Sequence, residues 1–212
     1  MLKQLKPAIL SVIVLAVITG LIFPLAITVI AQAAFPHQAN GSLITRNGVV
    51  VGSELIAQGF SKPGYFHPRP SAAGTGYDAA NSGGTNLGPT SDKLINGVHK
   101  KLPDGKDDPN NFDGIKDLAA AYRTENGLPA DAPVPADAVT RSASGLDPDI
   151  SLENAYLQAP RVAKARHVEV QEVRAVIDER IRGPRTHLLG ERRVNVLELN
   201  LALDELHPSG AS

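Results

Sequence analysis

The chain has 212 residues, of which 42% are hydrophobic and 20% charged, and its net charge is −1 at neutral pH. This length suits one domain, or one domain plus an appendage. The balanced charge, with four Tyr, five Phe and no Trp, argues against a nucleic-acid-binding surface. The absence of cysteine excludes disulfides, thiol nucleophiles and Cys-ligated metal sites.

The N-terminal part is apolar, because Ala8 to Ala34 form a run of 27 residues without a charged side chain. A helix of about 20 apolar residues crosses the hydrocarbon core of a bilayer. Pro24 removes one backbone donor and predicts a kink near Gly20. A cleaved secretory signal, with Ala31-Gln32-Ala33 as its small-residue site, is the alternative, but its apolar region would span only about 7–15 residues. An uncleaved membrane anchor is the preferred interpretation.

The charges that flank this span predict its orientation. Lys3 and Lys6 precede it, whereas the next basic residue is Arg46. The positive-inside rule therefore places the N-terminus in the cytoplasm. We divide the chain into a cytoplasmic N-terminus (1–7), a transmembrane helix (8–34) and an extracytoplasmic domain (35–212) that carries all 22 acidic and 19 of the 21 basic residues.

Beyond the span, short strand and helix patterns alternate, which predicts an α+β domain with a small mixed sheet. Strands are predicted at 48–52, 53–58, 137–142 and 193–203, with a turn at Asn47-Gly48. Helices are predicted at 90–102, 115–125, 152–166 with Ser151 as N-cap and an interruption at Pro160, and 168–181. Residues 62–89, rich in Gly and Pro but also in aromatic side chains, predict an ordered loop docked on the domain.

Motifs of self-contained enzymes are missing: the sequence has no P-loop, no zinc-protease or lipase motif, no EF-hand and no Asp-Lys-Thr-Gly of a P-type pump. His67 could act as a base or ligand, although a structural histidine is the simpler interpretation. Arg69 could anchor a partner or form an internal salt bridge. If His67 is a base, one alternative function is an anchored extracytoplasmic hydrolase that uses His67, Asp78 and Ser82.

Two further loops offer candidate ligands. Ser82, Gly83 and Gly84 lie in a Gly-rich turn whose amides could form an anion nest, although close packing of the loop explains glycine there as well. Asp147 and Asp149 could bind a cation, although helix capping and Asx turns explain the same residues. A cation-binding module is therefore the second alternative.

Motifs along most of the chain resemble the C subunit of the bacterial Kdp potassium-transporting ATPase, the KdpC family. They are Phe23-Pro24-Leu25, Tyr65-Phe66, Arg69-Pro70-Ser71-Ala72, Tyr77-Asp78-Ala79, Ser82 to Thr90, Ser142 to Ser151, Gln158, Arg161-Val162-Ala163, Val194 to Leu197 and Leu199-Asn200. Their order and spacing together make the resemblance specific. Two departures are His67-Pro68, where many relatives carry a Trp-Gly pair, and the acidic excursion Asp104 to Asp113, which resembles an insertion.

The resemblance implies a non-catalytic subunit of an ATP-driven potassium importer in the bacterial inner membrane. Its implied partners are a channel-like potassium-translocating subunit and a P-type ATP-hydrolysing subunit, with membrane lipid around the span. The family is described as assisting assembly and as a catalytic chaperone that raises the ATP affinity of the hydrolysing subunit. Because ATP is cytoplasmic and the domain is predicted outside, we expect ATP to act through the P-type partner. Ser82, Gly83 and Gly84 are the candidates for a direct nucleotide contact.

Partner subunits are expected to contact both the span and the domain. Small residues in a membrane helix let a second helix approach closely, and this favours the face around Gly20. The full set of predicted partner contacts is Gly20, Pro24, Tyr65, Phe66, Arg69 and Asn86.

Overall fold

A computed structural model of the chain describes residues 2–183 and 190–206. The chain divides into two compact units at the boundary between Ser53 and Glu54. The first unit contains helix α1 (Leu2–Val17), a π-helical turn (Ile18–Ile22), helix α2 (Phe23–Ala34), helix α3 (Pro36–Ala39) and strands β1 (Leu43–Arg46) and β2 (Val49–Ser53). The first three elements form one helix, Lys3–Ala34, which is long and apolar enough to cross a membrane.

The long N-terminal helix is distorted just before Pro24. Pro24 has no N–H, and its ring collides with the carbonyl of the preceding turn in a regular α-helix. The helix widens there into a π-turn, in which the N–H of Phe23 donates to the carbonyl of Ile18. The distortion predicted near Gly20 therefore takes the form of a π-helical turn.

Strands β1 and β2 form an antiparallel hairpin that closes at Asn47-Gly48. Both turn residues have positive φ, 50° at Asn47 and 78° at Gly48, as a type I′ turn requires. The predicted turn and the predicted strand at 48–52 are confirmed. The strand predicted at 53–58 is wrong, because β2 ends at Ser53.

The second unit combines helices with one small antiparallel sheet in the part that the structure describes. Its elements are α4 (Asp92–Asn96), α5 (Ile115–Asn126), α6 (Ala136–Val139), β3 (Asp149–Ser151), α7 (Leu152–Arg166), α8 (Val170–Glu179), β4 (Arg193–Asn195) and α9 (Val196–Leu206). Strands β3 and β4 pair with Ile150 opposite Val194. The predicted mixture of helices with small sheets is confirmed.

The hydrophobic core of the second unit lies among α7, α8, α9 and the β3–β4 sheet. Val162 of α7, Ile177 of α8 and Leu199 of α9 are fully buried in it. Phe66, from a segment without helix or strand, is fully buried in the same cluster. The prediction of an ordered loop docked on the domain is therefore confirmed.

The C-terminal segment 193–203 corrects the clearest strand prediction. Only Arg193–Asn195 is a strand, and the chain continues as helix α9. Val196, Leu199, Asn200 and Leu203 are all buried, and their three- and four-residue spacing is that of one helical face. The alternation of Val and Leu has the two-residue period of a strand only if Asn200 is counted on the polar face of that strand.

Three other boundaries also differ from the prediction. Residues 137–142 are not a strand, since 136–139 form α6. Helix α4 begins at the Ser91 N-cap but ends at Gly97 rather than near 102, because Gly97 has a φ of 78°. Helix α7 has the predicted Ser151 cap and runs through Pro160 without interruption.

Candidate functional site

The segment 62–89, here called the docked loop, lies between helices that supply polar side chains to its backbone. A buried segment without regular structure must still satisfy its N–H and C=O groups. In this loop side chains from α7 and α9 provide the partners.

Two side-chain amides each bind both backbone groups of one loop residue. Asn200 of α9 accepts from the Phe66 N–H at 2.8 Å and donates to the Phe66 carbonyl at 3.0 Å. Gln158 of α7 accepts from the His67 N–H at 2.8 Å and donates to the His67 carbonyl at 3.1 Å. Asn200 and Gln158 are each 1% exposed. These two amide clamps replace the hydrogen bonds that a neighbouring strand would supply.

Arg161 of α7 ties the start of the loop to two helices. One terminal nitrogen of its guanidinium donates to the carbonyls of Pro63 at 2.6 Å and Tyr65 at 2.9 Å. Its Nε donates to Asn126 at the end of α5, and its other terminal nitrogen donates to Gln158 Oε1 at 2.7 Å. Burial lowers the pKa of Arg161. The guanidinium thus links the loop, α5 and the second amide clamp.

Tyr65 is held by a second arginine at the end of α7. Arg166 donates from Nε to the Gly64 carbonyl at 2.6 Å and pairs with Asp204 of α9 at 2.9 Å. The Arg166 guanidinium lies 4.9 Å from the centre of the Tyr65 ring. The Tyr65 hydroxyl donates to Asp204 at 3.2 Å. The side chain of Tyr65 therefore belongs to an internal network.

Arg69 connects the middle of the loop to the segment before β3. It donates to Asp147 Oδ2 at 2.7 Å and to the Thr140 carbonyl at 3.3 Å. Tyr77 closes the same region, because its hydroxyl donates to the Arg69 carbonyl at 2.9 Å. Burial raises the pKa of Tyr77 to about 12. Of the two roles predicted for Arg69, the structure places the side chain in an internal salt bridge.

The Gly-rich turn packs directly on the segment 142–146. The Ser82 hydroxyl and the Gly83 N–H both donate to the Ser144 carbonyl, each at 2.9 Å. A Cβ added at Gly84 would lie 2.9 Å from the Ala143 carbonyl oxygen. Close packing therefore explains the glycine at 84. One amide of the predicted anion nest, that of Gly83, and the neighbouring Ser82 hydroxyl already have a protein acceptor. Asn86, farther along the loop, is exposed.

The residues of the hydrolase alternative are not brought together. His67 pairs through Nδ1 with Glu125 at 2.7 Å. Asp78 accepts hydrogen bonds from its own turn, and Ser82 donates to the Ser144 carbonyl. Hydrogen bonding from His67 lowers the pKa of Glu125. The three side chains thus bind three different partners, and this arrangement is structural.

The residues of the cation-binding alternative are occupied by arginines. Asp147 pairs with Arg69, and Asp149 pairs with Arg193 Nε at 2.7 Å. Asp149 Oδ1 is buried and has no hydrogen-bond partner in the described parts of the chain. Each carboxylate is therefore neutralised by its own guanidinium.

A different group of potential metal ligands lies at the start of α5. His99, Asp113 and Asp117 each offer one ligand atom, and the three atoms lie within 4.8 Å of one another. Asp117 Oδ2 already accepts from His99 at 2.9 Å and from the Gly114 N–H at 2.8 Å, and these hydrogen bonds lower the pKa of Asp117. This group was not predicted from the sequence. The hydrogen bond to Gly114 gives Asp117 a helix-capping role.

Gln158, Arg161 and Asn200 belong to the motifs that carry the resemblance, but their contacts with the loop backbone were not predicted. Their signal was polar side chains at positions that the helical periodicity places on a buried face. Buried polar groups of this kind require partners. The backbone of the docked loop supplies those partners.

Comparison with known proteins covers nearly the whole chain. The family model described as "KdpC: K+-transporting ATPase, c chain" matches residues 5–205. The "Potassium-transporting ATPase KdpC subunit" of Mycobacterium tuberculosis (strain H37Rv) is 50% identical over 206 residues, which cover 97% of this chain and 100% of the relative. The protein of the same name from Caulobacter vibrioides (strain NA1000) is 52% identical over 213 residues, which cover 100% of this chain and 98% of the relative. By both measures, the chain belongs to the KdpC family.

Proposed function

We propose that the chain is an accessory subunit of the Kdp potassium-transporting ATPase that assembles and stabilises the complex without catalysing the reaction itself. The observation that carries this proposal is the family match over residues 5–205. The geometry supports it, because the polar groups singled out as catalytic candidates bind structural partners. The hydrolase and the cation-binding module are therefore not favoured.

In this proposal the helix Lys3–Ala34 spans the bacterial inner membrane once. Lys3 and Lys6 precede the apolar run and hold the N-terminus in the cytoplasm by the positive-inside rule. The second unit then lies outside the cytoplasm. It caps the channel-like potassium-translocating subunit from that side.

Partner contacts are proposed at residues that the structure leaves accessible. Open space surrounds the position that a Cβ at Gly20 would occupy, and Pro24 lies one helical turn later. Asn86 is exposed on the docked loop. Phe66 is withdrawn from the predicted contacts, because its side chain is fully buried in the core. Tyr65 and Arg69 act by holding the shape of the loop.

The effect of such a domain on ATP is indirect. ATP is hydrolysed by the P-type subunit in the cytoplasm, and the second unit lies on the opposite side of the membrane in this proposal. Ser82 and Gly83 direct their donors to the Ser144 carbonyl. We therefore propose that the chain stabilises a conformation of its partners that binds ATP more tightly.

Co-purification tests the proposal. The tagged full chain, expressed with its partner genes and extracted in mild detergent, is expected to elute with two larger membrane proteins. Asn86→Arg places a bulky charge on the docked loop and should lower their recovery. Asn110→Arg, at an exposed position of the acidic excursion, is the matched control and should leave recovery unchanged. Elution of the wild-type chain alone would contradict the proposed function.

A further inference from the structure

The β1–β2 hairpin presents large apolar side chains on its surface. Leu43, Val49 and Val50 are 48%, 65% and 55% exposed. Consecutive residues of a strand point to opposite faces, so Val49 and Val50 make the tip apolar on both faces. A two-stranded hairpin is marginally stable in water by itself. Among residues 2–183 and 190–206, the apolar side chains of the tip are therefore left exposed.

The first unit differs from the second in its charged residues. Residues 1–53 contain no Asp or Glu, and the first acidic residue is Glu54. Lys3 and Lys6 lie at the start of the long helix, whereas Arg46 lies on the hairpin opposite Val49. Basic and apolar side chains together favour binding to an anionic lipid surface.

Hydrogen bonds hold the base of the hairpin close to the end of the long helix. The side chains of Gln32 and Asn40 exchange two hydrogen bonds of 3.2 and 3.1 Å. The Ser42 N–H donates to the His37 carbonyl at 3.0 Å, and the Ser53 hydroxyl donates to the Gly41 carbonyl at 2.7 Å. The hairpin therefore begins within a short, hydrogen-bonded connection from the apolar helix.

The hairpin is longer than the membrane interface is thick. Four strand residues extend about 13 Å at roughly 3.3 Å per residue. The headgroup region on each side of a bilayer is about 5–8 Å thick. A hairpin that starts at the end of a spanning helix is thus long enough to reach the lipid headgroups.

We propose that the hairpin tip, residues 47–50, inserts into the headgroup layer of an anionic lipid bilayer beside the membrane span. Lipid surrounds an inserted tip and covers both Val49 and Val50, whereas a flat protein surface covers one face of a hairpin. Arg46, next to the tip, adds a positive charge that an anionic lipid surface attracts. This inference rests on the proposed anchoring of the long helix in the membrane.

The test uses single tryptophans, because the chain contains no Trp of its own. Full-length Val49→Trp and Val50→Trp are reconstituted in vesicles of phosphatidylglycerol and phosphatidylcholine with brominated acyl chains, which quench indole at short range. Ile27→Trp, within α2, reports on the span. Leu102→Trp, at an exposed position of the second unit, is the control for an indole surrounded by water. Quenching is expected to be strongest at 27, intermediate at 49 and 50, and weakest at 102.

The outcomes separate this inference from the proposal on which it rests. An unquenched Ile27→Trp would contradict the anchoring itself. A quenched Ile27→Trp with Val49→Trp and Val50→Trp no more quenched than Leu102→Trp would overturn only the lipid contact. Quenching at only one of the two valine positions would also overturn it, because lipid around an inserted tip contacts both faces. Shielding of the two indoles from water that requires the partner subunits would overturn it as well, because it identifies a protein contact.

Discussion

Removal of the Asn200 amide tests whether side-chain clamps hold the docked loop. Asn200 is 1% exposed and exchanges two hydrogen bonds with the backbone of Phe66. Asn200→Ala leaves the Phe66 N–H and carbonyl buried without these partners. Asn200→Leu does the same while keeping a side chain of similar volume.

The expected loss follows from the two backbone groups. A buried polar group left without a partner costs about 1–3 kcal/mol, so two groups cost about 2–6 kcal/mol. A domain of this size loses about 2–4 °C in Tm per kcal/mol. Both variants should therefore unfold about 4–24 °C below wild type.

Circular dichroism of the full chain in detergent micelles measures this shift. Asn110→Ala is the matched control, because Asn110 is exposed and its side chain binds only the nearby Asp108 in the described structure. Protease cleavage within the docked loop should accelerate in Asn200→Ala and not in Asn110→Ala. If both Asn200 variants unfold at the temperature of the control, the clamps do not stabilise the loop and the reasoning is refuted.

Three further predictions concern pH, backbone conformation and the membrane span. The pKa of Glu125 lies below its ordinary value of 4.5, so the ionised carboxylate stabilises the fold above that pH. The difference in Tm between wild type and Glu125→Gln should therefore shrink as the pH falls from about 5 to about 3. A difference that stays constant over this range would contradict the prediction. Gly145 has a φ of 67° and leaves no room for a Cβ, whereas a Cβ at Gly83 would meet open space. Gly145→Ala should therefore lower the Tm by several degrees, while Gly83→Ala should leave it within about 1 °C of wild type. Gly20→Leu should leave the Tm of the chain unchanged but reduce co-purification with partner subunits, and unchanged recovery would exclude this face as a contact.

Local rules predicted the elements whose signals are short-range. The apolar run before Ala34, the Asn47-Gly48 turn and the Ser151 N-cap each depend on a few adjacent residues. Pro24 correctly marked a helix distortion, although the π-turn that accommodates it was not predicted. Pro160 did not break α7, because tertiary packing of that helix outweighs the loss of one hydrogen bond.

The errors arose where a polar side chain is buried by a distant partner. Asn200 looked like the polar face of a strand, because its partner Phe66 lies 134 positions earlier in the chain. Counted as buried, Asn200 restores the helical period of α9. The same long-range contacts explain why Arg69 and Ser82 looked available for ligands: their partners, Asp147 and Ser144, lie 78 and 62 positions away. No periodicity within one segment reports such pairs.

The function proposed for the second unit requires that it lies outside the cytoplasm. An alkaline phosphatase fusion after Ser212, compared with a reporter active only in the cytoplasm at the same position, tests this placement directly. We expect an active phosphatase and an inactive cytoplasmic reporter. The opposite pair of results would place the second unit in the cytoplasm, where ATP is present. Such results would contradict both the indirect effect on nucleotide affinity and the proposed cap on the potassium-translocating subunit.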